Sequence, residues 1–148
     1  MGKVDIITET LIERPCSKVA DFTADPDNAT RWYVNIKSVE WKSPRPLRVG
    51  SKVAFKARFL GKDLEYIYEI IEYHPGQKLV MQTAHGPFPM ETTYEWEAVD
   101  GGGTKMTLRN RGFPKGFSKW LAPFMASGIK SANRKDLRRL KQLLENEV

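Results

Sequence analysis

The sequence predicts an α+β fold in which an antiparallel β-meander is followed by one long C-terminal helix. Between Val53 and Asn110 apolar side chains alternate with charged ones, which is the period of strands with one buried face. Turn-forming residues interrupt this stretch about every 10 to 15 residues, as in hairpin-linked strands. After Pro114 the apolar period lengthens to about 3.6 residues, which indicates a helix.

Two strands and two short helices are predicted before the meander. Residues 4–15, VDIITETLIERP, read as a strand that ends before Pro15. Residues 16–33 have helical spacing, and the pair Asp25-Pro26 supplies a cap and a first helical residue, so two short helices are expected. Residues 36–43, IKSVEWKS, predict a strand, and the two prolines and glycine that follow predict a loop.

Four turn signals divide the region from Ser51 onward into antiparallel strands. They are LGKD at 60–63, HPGQ at 74–77, HGP at 85–87 and DGGG at 100–103. A parallel arrangement would need crossover helices, and the gaps between these turns are too short to hold them.

The last segment predicts a helix from Pro123 to Asn146, about 36 Å long at 1.5 Å per residue. Trp120, Phe124 and Gly128 follow one another at single-turn spacing and therefore share a face. The glycine admits two interpretations: a close helix–sheet contact that leaves no room for a side chain, or open volume for a ligand.

The inward-facing rows of the meander are rich in aromatic and polar side chains, which suits a ligand cavity with apolar walls and a few orienting groups. The alternative is a large core in which the polar ends of these side chains form hydrogen bonds with other groups of the protein. The predicted ligand-binding residues are Trp32, Phe55, Phe59, Tyr66, Tyr68, Met81, Thr83, His85, Phe88, Thr92, Tyr94, Trp96, Leu108, Asn110, Trp120, Phe124 and Gly128.

The sequence contains few candidates for catalysis. His85, Asn110 and Tyr94 are the candidates for a proton relay or for a hydrogen bond to a carbonyl group. A histidine at the rim of a cavity is, however, more often a polar surface side chain without a role in catalysis. The strand glutamates fall on the outward-facing positions, where a carboxylate cannot be desolvated for acid–base work. Catalytic residues are therefore not assigned.

Histidine and cysteine usage predicts neither a metal nor another cofactor. The two histidines belong to no spaced metal motif, and Cys16 is the single cysteine. One cysteine cannot form an internal disulfide, which fits a reducing compartment. The first ten residues contain no apolar signal core, and no run approaches the roughly 18 apolar residues of a membrane span, so the expected location is cytoplasmic.

The net charge of +6 is concentrated in the last third of the chain. Residues 1–100 carry 13 basic and 15 acidic groups, whereas residues 101–148 carry 11 basic and 3 acidic ones. The run IKSANRKDLRRLKQ, 129–142, is interpreted as the solvated face of the C-terminal helix. An interaction module that docks on an acidic partner or membrane is the alternative; nucleic acid is not expected, because no aromatic residues interleave with these charges.

Several of these segments together resemble the START-like superfamily, also called SRPBCC, and within it the polyketide cyclase/dehydrase-like group of bacterial proteins. The likeness is carried by DPDNATRW at 25–32, the stretch 60–79, GPFP at 86–89, YEWE at 94–97 and DLRRLKQLLE at 136–145. It extends over nearly the whole chain.

The resemblance implies a helix-grip fold: one domain over residues 1–148 with a curved seven-stranded antiparallel sheet around the C-terminal helix and a cavity between them. It also implies binding of a small, largely apolar molecule that is lipid-, polyketide- or isoprenoid-like. A cyclase or dehydratase acting in the same cavity is the enzymatic alternative. The protein is expected to be a monomer or a weak homodimer.

Overall fold

A computed structural model describes residues 4–59, 61–85, 89–112 and 121–146, and the predictions made for Phe88 and Trp120 lie outside these ranges. The side chains of Phe59, His85 and residues 121–125 also lie outside the description. The elements, in chain order, are β1 (Val4–Ile12), α1 (Cys16–Ala24), a 3-10 turn (Pro26–Asn28), α2 (Ala29–Trp32), β2 (Ile36–Trp41), β3 (Lys52–Phe59), β4 (Lys62–His74), β5 (Lys78–His85), β6 (Met90–Val99), β7 (Gly103–Gly112) and α3 (Leu121–Glu145).

The seven strands form one antiparallel sheet in the order β1-β7-β6-β5-β4-β3-β2. Strands β3 to β7 are the predicted meander, and β2 extends it, because each of these strands pairs with the next along the chain. The first strand pairs with the last, in a register that runs from Val4 opposite Gly112 to Ile12 opposite Thr104. The sheet and the long helix confirm the helix-grip fold.

The segment between β1 and β2 contains the predicted helices, with the second of them divided in two. The Asp25 side chain accepts a hydrogen bond from the Asp27 amide at 3.0 Å and caps the 3-10 turn that begins at Pro26. The turn leads directly into α2. Helix α1 is tied to the sheet by the indole of Trp96, which donates to the Thr23 hydroxyl at 2.9 Å in a buried position.

Helix α3 has one apolar face and one basic face, as the sequence predicts. Leu137, Leu140 and Leu144 are buried in the main core together with Ile12 and Met106. The basic side chains on the opposite face are exposed at positions 130, 134, 135, 138 and 139. That exposure matches a solvated face, and docking on an acidic partner or membrane stays a prediction.

Side-chain alternation is regular in β1 and β7 and is interrupted where β4 pairs with β5. In β7, Thr104, Met106, Leu108 and Asn110 are buried while the residues between them are half-exposed. The pairing of β4 with β5 shifts register twice, between positions 67 and 68 and between 70 and 72. Such bulges bend a strand and change which side chains face inward.

Leu140→Ala should lower the free energy of unfolding by about 2–5 kcal/mol, because Leu140 is fully buried where α3 packs on the sheet. Chemical denaturation measures this change. Gln142→Ala, on the exposed side of the same helix, is the control and should change stability by less than about 0.5 kcal/mol. Equal effects of the two substitutions would contradict the placement of α3.

Candidate functional site

A cavity of about 150 Å³ lies between the inward face of the sheet and the middle of α3. Strands β3 to β7 supply most of its wall, the link from α2 to β2 supplies one end, and α3 covers it. Its lining consists of Tyr33, Asn35, Ile36, Phe55, Ala57, Leu64, Tyr66, Tyr68, Met81, Met90, Thr92, Tyr94, Asn110, Ile129, Ala132, Asn133 and Asp136.

The sheet side of the cavity is an aromatic wall. Phe55 on β3 and Tyr66 and Tyr68 on β4 face inward because alternate residues of a strand share a face. The rings of Phe55 and Tyr68 meet edge to face with centroids 5.8 Å apart, and those of Tyr66 and Tyr68 are 6.0 Å apart. These contacts hold the rings in place and leave their free surfaces toward the cavity.

A pair of tyrosines marks the polar end of the cavity. The hydroxyls of Tyr33, which follows α2, and Tyr94, on β6, are hydrogen-bonded at 2.5 Å. Both rings pack against Trp32, with centroids 4.0 Å away for Tyr33 and 5.7 Å for Tyr94. The buried indole therefore fixes the positions of both hydroxyls.

Asp136 on α3 brings a carboxyl group to this polar end. It is 3% exposed, and its Oδ1 accepts a hydrogen bond from the Val34 amide at 2.8 Å. Burial raises the pKa of Asp136 to about 7, and the bond from Val34 and the charge of Arg139 oppose that shift. The carboxyl is therefore close to half ionised at neutral pH.

The cavity tyrosines remain neutral over the physiological range. Burial raises the pKa of Tyr68 to about 12, and it raises the pKa of Tyr66 and of Tyr94 further. The pKa of Tyr33 is also raised, first by burial and then by the neighbouring Tyr94 and Asp136. These phenols act as hydrogen-bond donors and acceptors and do not supply charge.

Three further polar side chains of the cavity lining differ in whether their hydrogen-bonding groups have partners. The Thr92 hydroxyl donates to Oδ1 of Asn110 at 2.6 Å, across the β6–β7 pair. Asn133, one helical turn before Asp136, is 4% exposed, and its Nδ2 has no hydrogen-bond partner. A buried donor without a partner is costly and is rare in folded proteins.

The structure brings seven of the predicted ligand-binding residues to the cavity: Phe55, Tyr66, Tyr68, Met81, Thr92, Tyr94 and Asn110. Trp32, Trp96 and Leu108 lie in the main core and do not line the cavity. The Thr83 hydroxyl instead accepts a hydrogen bond from the Met90 amide at 3.0 Å.

Gly128 is half-buried on α3, one turn before Ala132, and is not part of the cavity lining. The remaining predicted contacts cannot be placed. Phe88 and Trp120 lie outside the described residues, as do the side chains of Phe59, His85 and Phe124. Their roles stay predictions.

Four polar residues of the cavity lining were missed by sequence reasoning: Tyr33, Asn35, Asn133 and Asp136. The prediction that the chain has no desolvated carboxylate considered the strand glutamates, of which Glu65, Glu95 and Glu97 are indeed exposed. A signal was present on the helix. Positions 133 and 136 lie four and seven residues after Ile129, on the apolar stripe where polar residues are unexpected.

No arrangement for a metal ion occurs in the part of the chain that the structure describes, since it contains no group of three His, Cys, Asp or Glu side chains. Nor does any described helix combine the length and apolar character needed to cross a membrane.

Comparison with protein families gives one match over almost the full length. A model of the family described as polyketide cyclase / dehydrase and lipid transport matches residues 3–145. No curated protein sequence matches the chain.

Several solved structures share the fold. The protein TTHA0849 from Thermus thermophilus is 17% identical, with a TM-score of 0.81 over 97% of this chain and 99% of that one. The Zhui aromatase/cyclase from a Streptomyces species is 11% identical, with a TM-score of 0.82 over 97% and 94% of the two chains. Major latex-like protein 151 from Panax ginseng is 12% identical, with a TM-score of 0.77 over 96% and 97%. Identities this low establish a common fold.

Burial of Asp136 predicts a pH-dependent stability. Its pKa is higher in the folded chain than the usual value of 3.8, so folding favours the protonated carboxyl. The free energy of unfolding therefore falls as pH rises from about 4 to about 7. Asp136→Asn keeps an oxygen for the Val34 amide and removes the charge. The substitution should therefore raise the free energy of unfolding by roughly 2–4 kcal/mol more at pH 8 than at pH 5.

Urea denaturation of both proteins at the two pH values measures this difference. Asp100→Asn, in the exposed turn between β6 and β7, is the matched control and should show no such dependence. If Asp136→Asn changes stability equally at pH 5 and pH 8, Asp136 is not held in a desolvated position.

Proposed function

This chain belongs to the polyketide cyclase / dehydrase and lipid transport family, and we propose that it binds a small, largely apolar molecule in the cavity between the sheet and α3. Family and fold together support hydrophobic ligand binding or polyketide cyclase-type activity. Lipid-, polyketide- and isoprenoid-like molecules are the candidate ligands. The residues proposed to contact them are those of the cavity lining.

The aromatic wall that faces open volume is the observation that carries this proposal. A row of side chains built for packing would fill the space in front of it, since protein interiors are close-packed. Here Phe55, Tyr66 and Tyr68 face a cavity of about 150 Å³. A cavity of this size with apolar walls in another protein binds benzene. A ring-sized apolar group therefore fits, and each 100 Å² of apolar surface that it buries favours binding by about 2.5 kcal/mol.

A proton-transfer enzyme is the second candidate, and Asp136 favours it. A carboxyl group with a pKa near 7 can act as an acid or a base at neutral pH. The bond between the Tyr33 and Tyr94 hydroxyls leaves one hydroxyl hydrogen that can be donated to a substrate carbonyl, as a cyclisation or dehydration requires. This assignment differs from the sequence-based relay of His85, Asn110 and Tyr94, because Asp136 has both the burial and the pKa that acid–base work needs.

Ala132→Leu tests the ligand-binding proposal by filling the cavity from α3. Ala132 is part of the lining, so the substitution adds three heavy atoms beyond its methyl group and fills volume that a ligand would otherwise occupy. We expect the affinity for ethylbenzene, followed by chemical-shift titration, to fall at least about tenfold, equivalent to about 1.4 kcal/mol. The melting temperature should stay constant or rise.

Ser131→Leu is the matched control, because position 131 is exposed on the same helical turn and the added side chain has the same size. It should bind ethylbenzene like the unmodified protein. Native mass spectrometry of the purified protein provides an independent readout, with a co-purified small molecule expected. Normal ethylbenzene binding by Ala132→Leu would show that the ligand does not occupy this cavity.

A further inference from the structure

The charges that line the cavity restrict the polar group that a ligand can carry. Asp136 is a carboxyl group, and the cavity lining contains no lysine, arginine or histidine among the described residues. The nearest positive charge that acts on Asp136 is that of Arg139, whose side chain is exposed on α3. An anionic ligand would therefore place two negative charges together in a desolvated space, without a cation between them.

The neutral groups at the same end offer both donors and acceptors. The bond between Tyr33 and Tyr94 uses one of their two hydroxyl hydrogens and leaves oxygen lone pairs available. Asn133, on the same helical face as Asp136, has an amide nitrogen without a partner. A ligand group that can both donate and accept a hydrogen bond complements this set better than one limited to a single role.

Building on the proposed function, we propose that the cavity binds a neutral, largely apolar molecule with a hydroxyl group. The hydroxyl lies against Asp136, Asn133 and the Tyr33–Tyr94 pair. Molecules that carry a carboxylate, such as free fatty acids, are rejected. The ligand class is thus an aromatic or alicyclic alcohol or phenol.

The protonation of Asp136 supports this choice. Near neutral pH the carboxyl is present in both forms, because its pKa is raised to about 7. A hydroxyl can donate to the ionised form and accept from the protonated form. An ammonium group pairs well only with the ionised form, and a carboxylate only with the protonated form. The groups that face Asp136 are the Val34 amide, Tyr33, Tyr94 and, on its own helix, Arg139.

Four one-ring probes that differ in a single group test the proposal: ethylbenzene, benzyl alcohol, benzylamine and phenylacetate. Their dissociation constants are measured by chemical-shift titration at pH 6, 7 and 8. A carboxyl group with a pKa of about 7 is about 10% ionised at pH 6 and about 90% at pH 8. Over this range phenylacetate affinity should fall by up to about tenfold and benzylamine affinity should rise by up to about tenfold.

Benzyl alcohol should change by less than about twofold and should be the tightest of the three polar probes at pH 7. In Asp136→Asn the affinities for phenylacetate and benzylamine should no longer change with pH in opposite directions. Asp100→Asn, exposed and distant in sequence from the cavity residues of α3, should reproduce the unmodified protein. If Asp136→Asn fails to fold, the pH dependence of the affinities of the unmodified protein for the three polar probes still tests the proposal.

The outcomes separate this inference from the proposed function. Ethylbenzene binding with phenylacetate affinity that is independent of pH, or as high as that of benzyl alcohol, would overturn the inference and leave the ligand-binding function standing. Benzylamine as the tightest polar probe at pH 7 would also overturn it and point to a cationic ligand. Failure of all four probes to bind would overturn the ligand-binding function and the inference with it.

Discussion

The packing of α3 on the inner face of the sheet determines which part of the interior is filled by side chains and which part is a cavity. In the second half of α3, leucines at 137, 140 and 144 are buried against the sheet and complete the core. In the middle of the helix, the same face presents Ile129, Ala132, Asn133 and Asp136, and the space in front of them stays open. Because both segments belong to one continuous helix, the leucines hold the smaller side chains at a distance from the aromatic wall. The cavity is therefore a consequence of the composition of α3.

Much of this arrangement can be predicted from sequence, and the failures have local causes. The alternation in β6 and β7 identified Thr92, Tyr94 and Asn110, since regular antiparallel strands preserve parity. The alternation in β4 likewise identified Tyr66 and Tyr68. The register shifts between β4 and β5 carry no comparable signal in the sequence, because they depend on how neighbouring strands curve together. Tyr33 was missed because it reaches the cavity from a short link after α2. Asp136 was missed because it lies within a run of basic residues that describes the outer face of the helix.

The chemistry of the cavity follows from the way its polar groups are buried. The phenols are too weakly acidic to ionise, Thr92 and Asn110 are hydrogen-bonded to each other, and the indole of Trp32 packs against both rings of the tyrosine pair. Among the described residues of the cavity lining, only Asp136 changes its ionisation near neutral pH. A binding protein could use this carboxyl to select the polar group of its ligand, and an enzyme could use it to move a proton. The same geometry is compatible with a binding protein and with an enzyme, so the bound molecule, and not the fold, distinguishes the two roles.

The pairing of β1 with β7 has a consequence for how the chain reaches this structure. The hydroxyl of Thr8 donates to the carbonyl of Leu108, 100 residues later in the sequence. At about 5–20 residues per second, a ribosome needs roughly 5 to 20 s to synthesise the chain between these two residues. During that interval β1 has no partner strand, although Ile12 and the other apolar residues of its inner face are already present. Non-local pairings of this kind form slowly. The nascent chain must therefore keep its first strand from premature association until its last strand emerges.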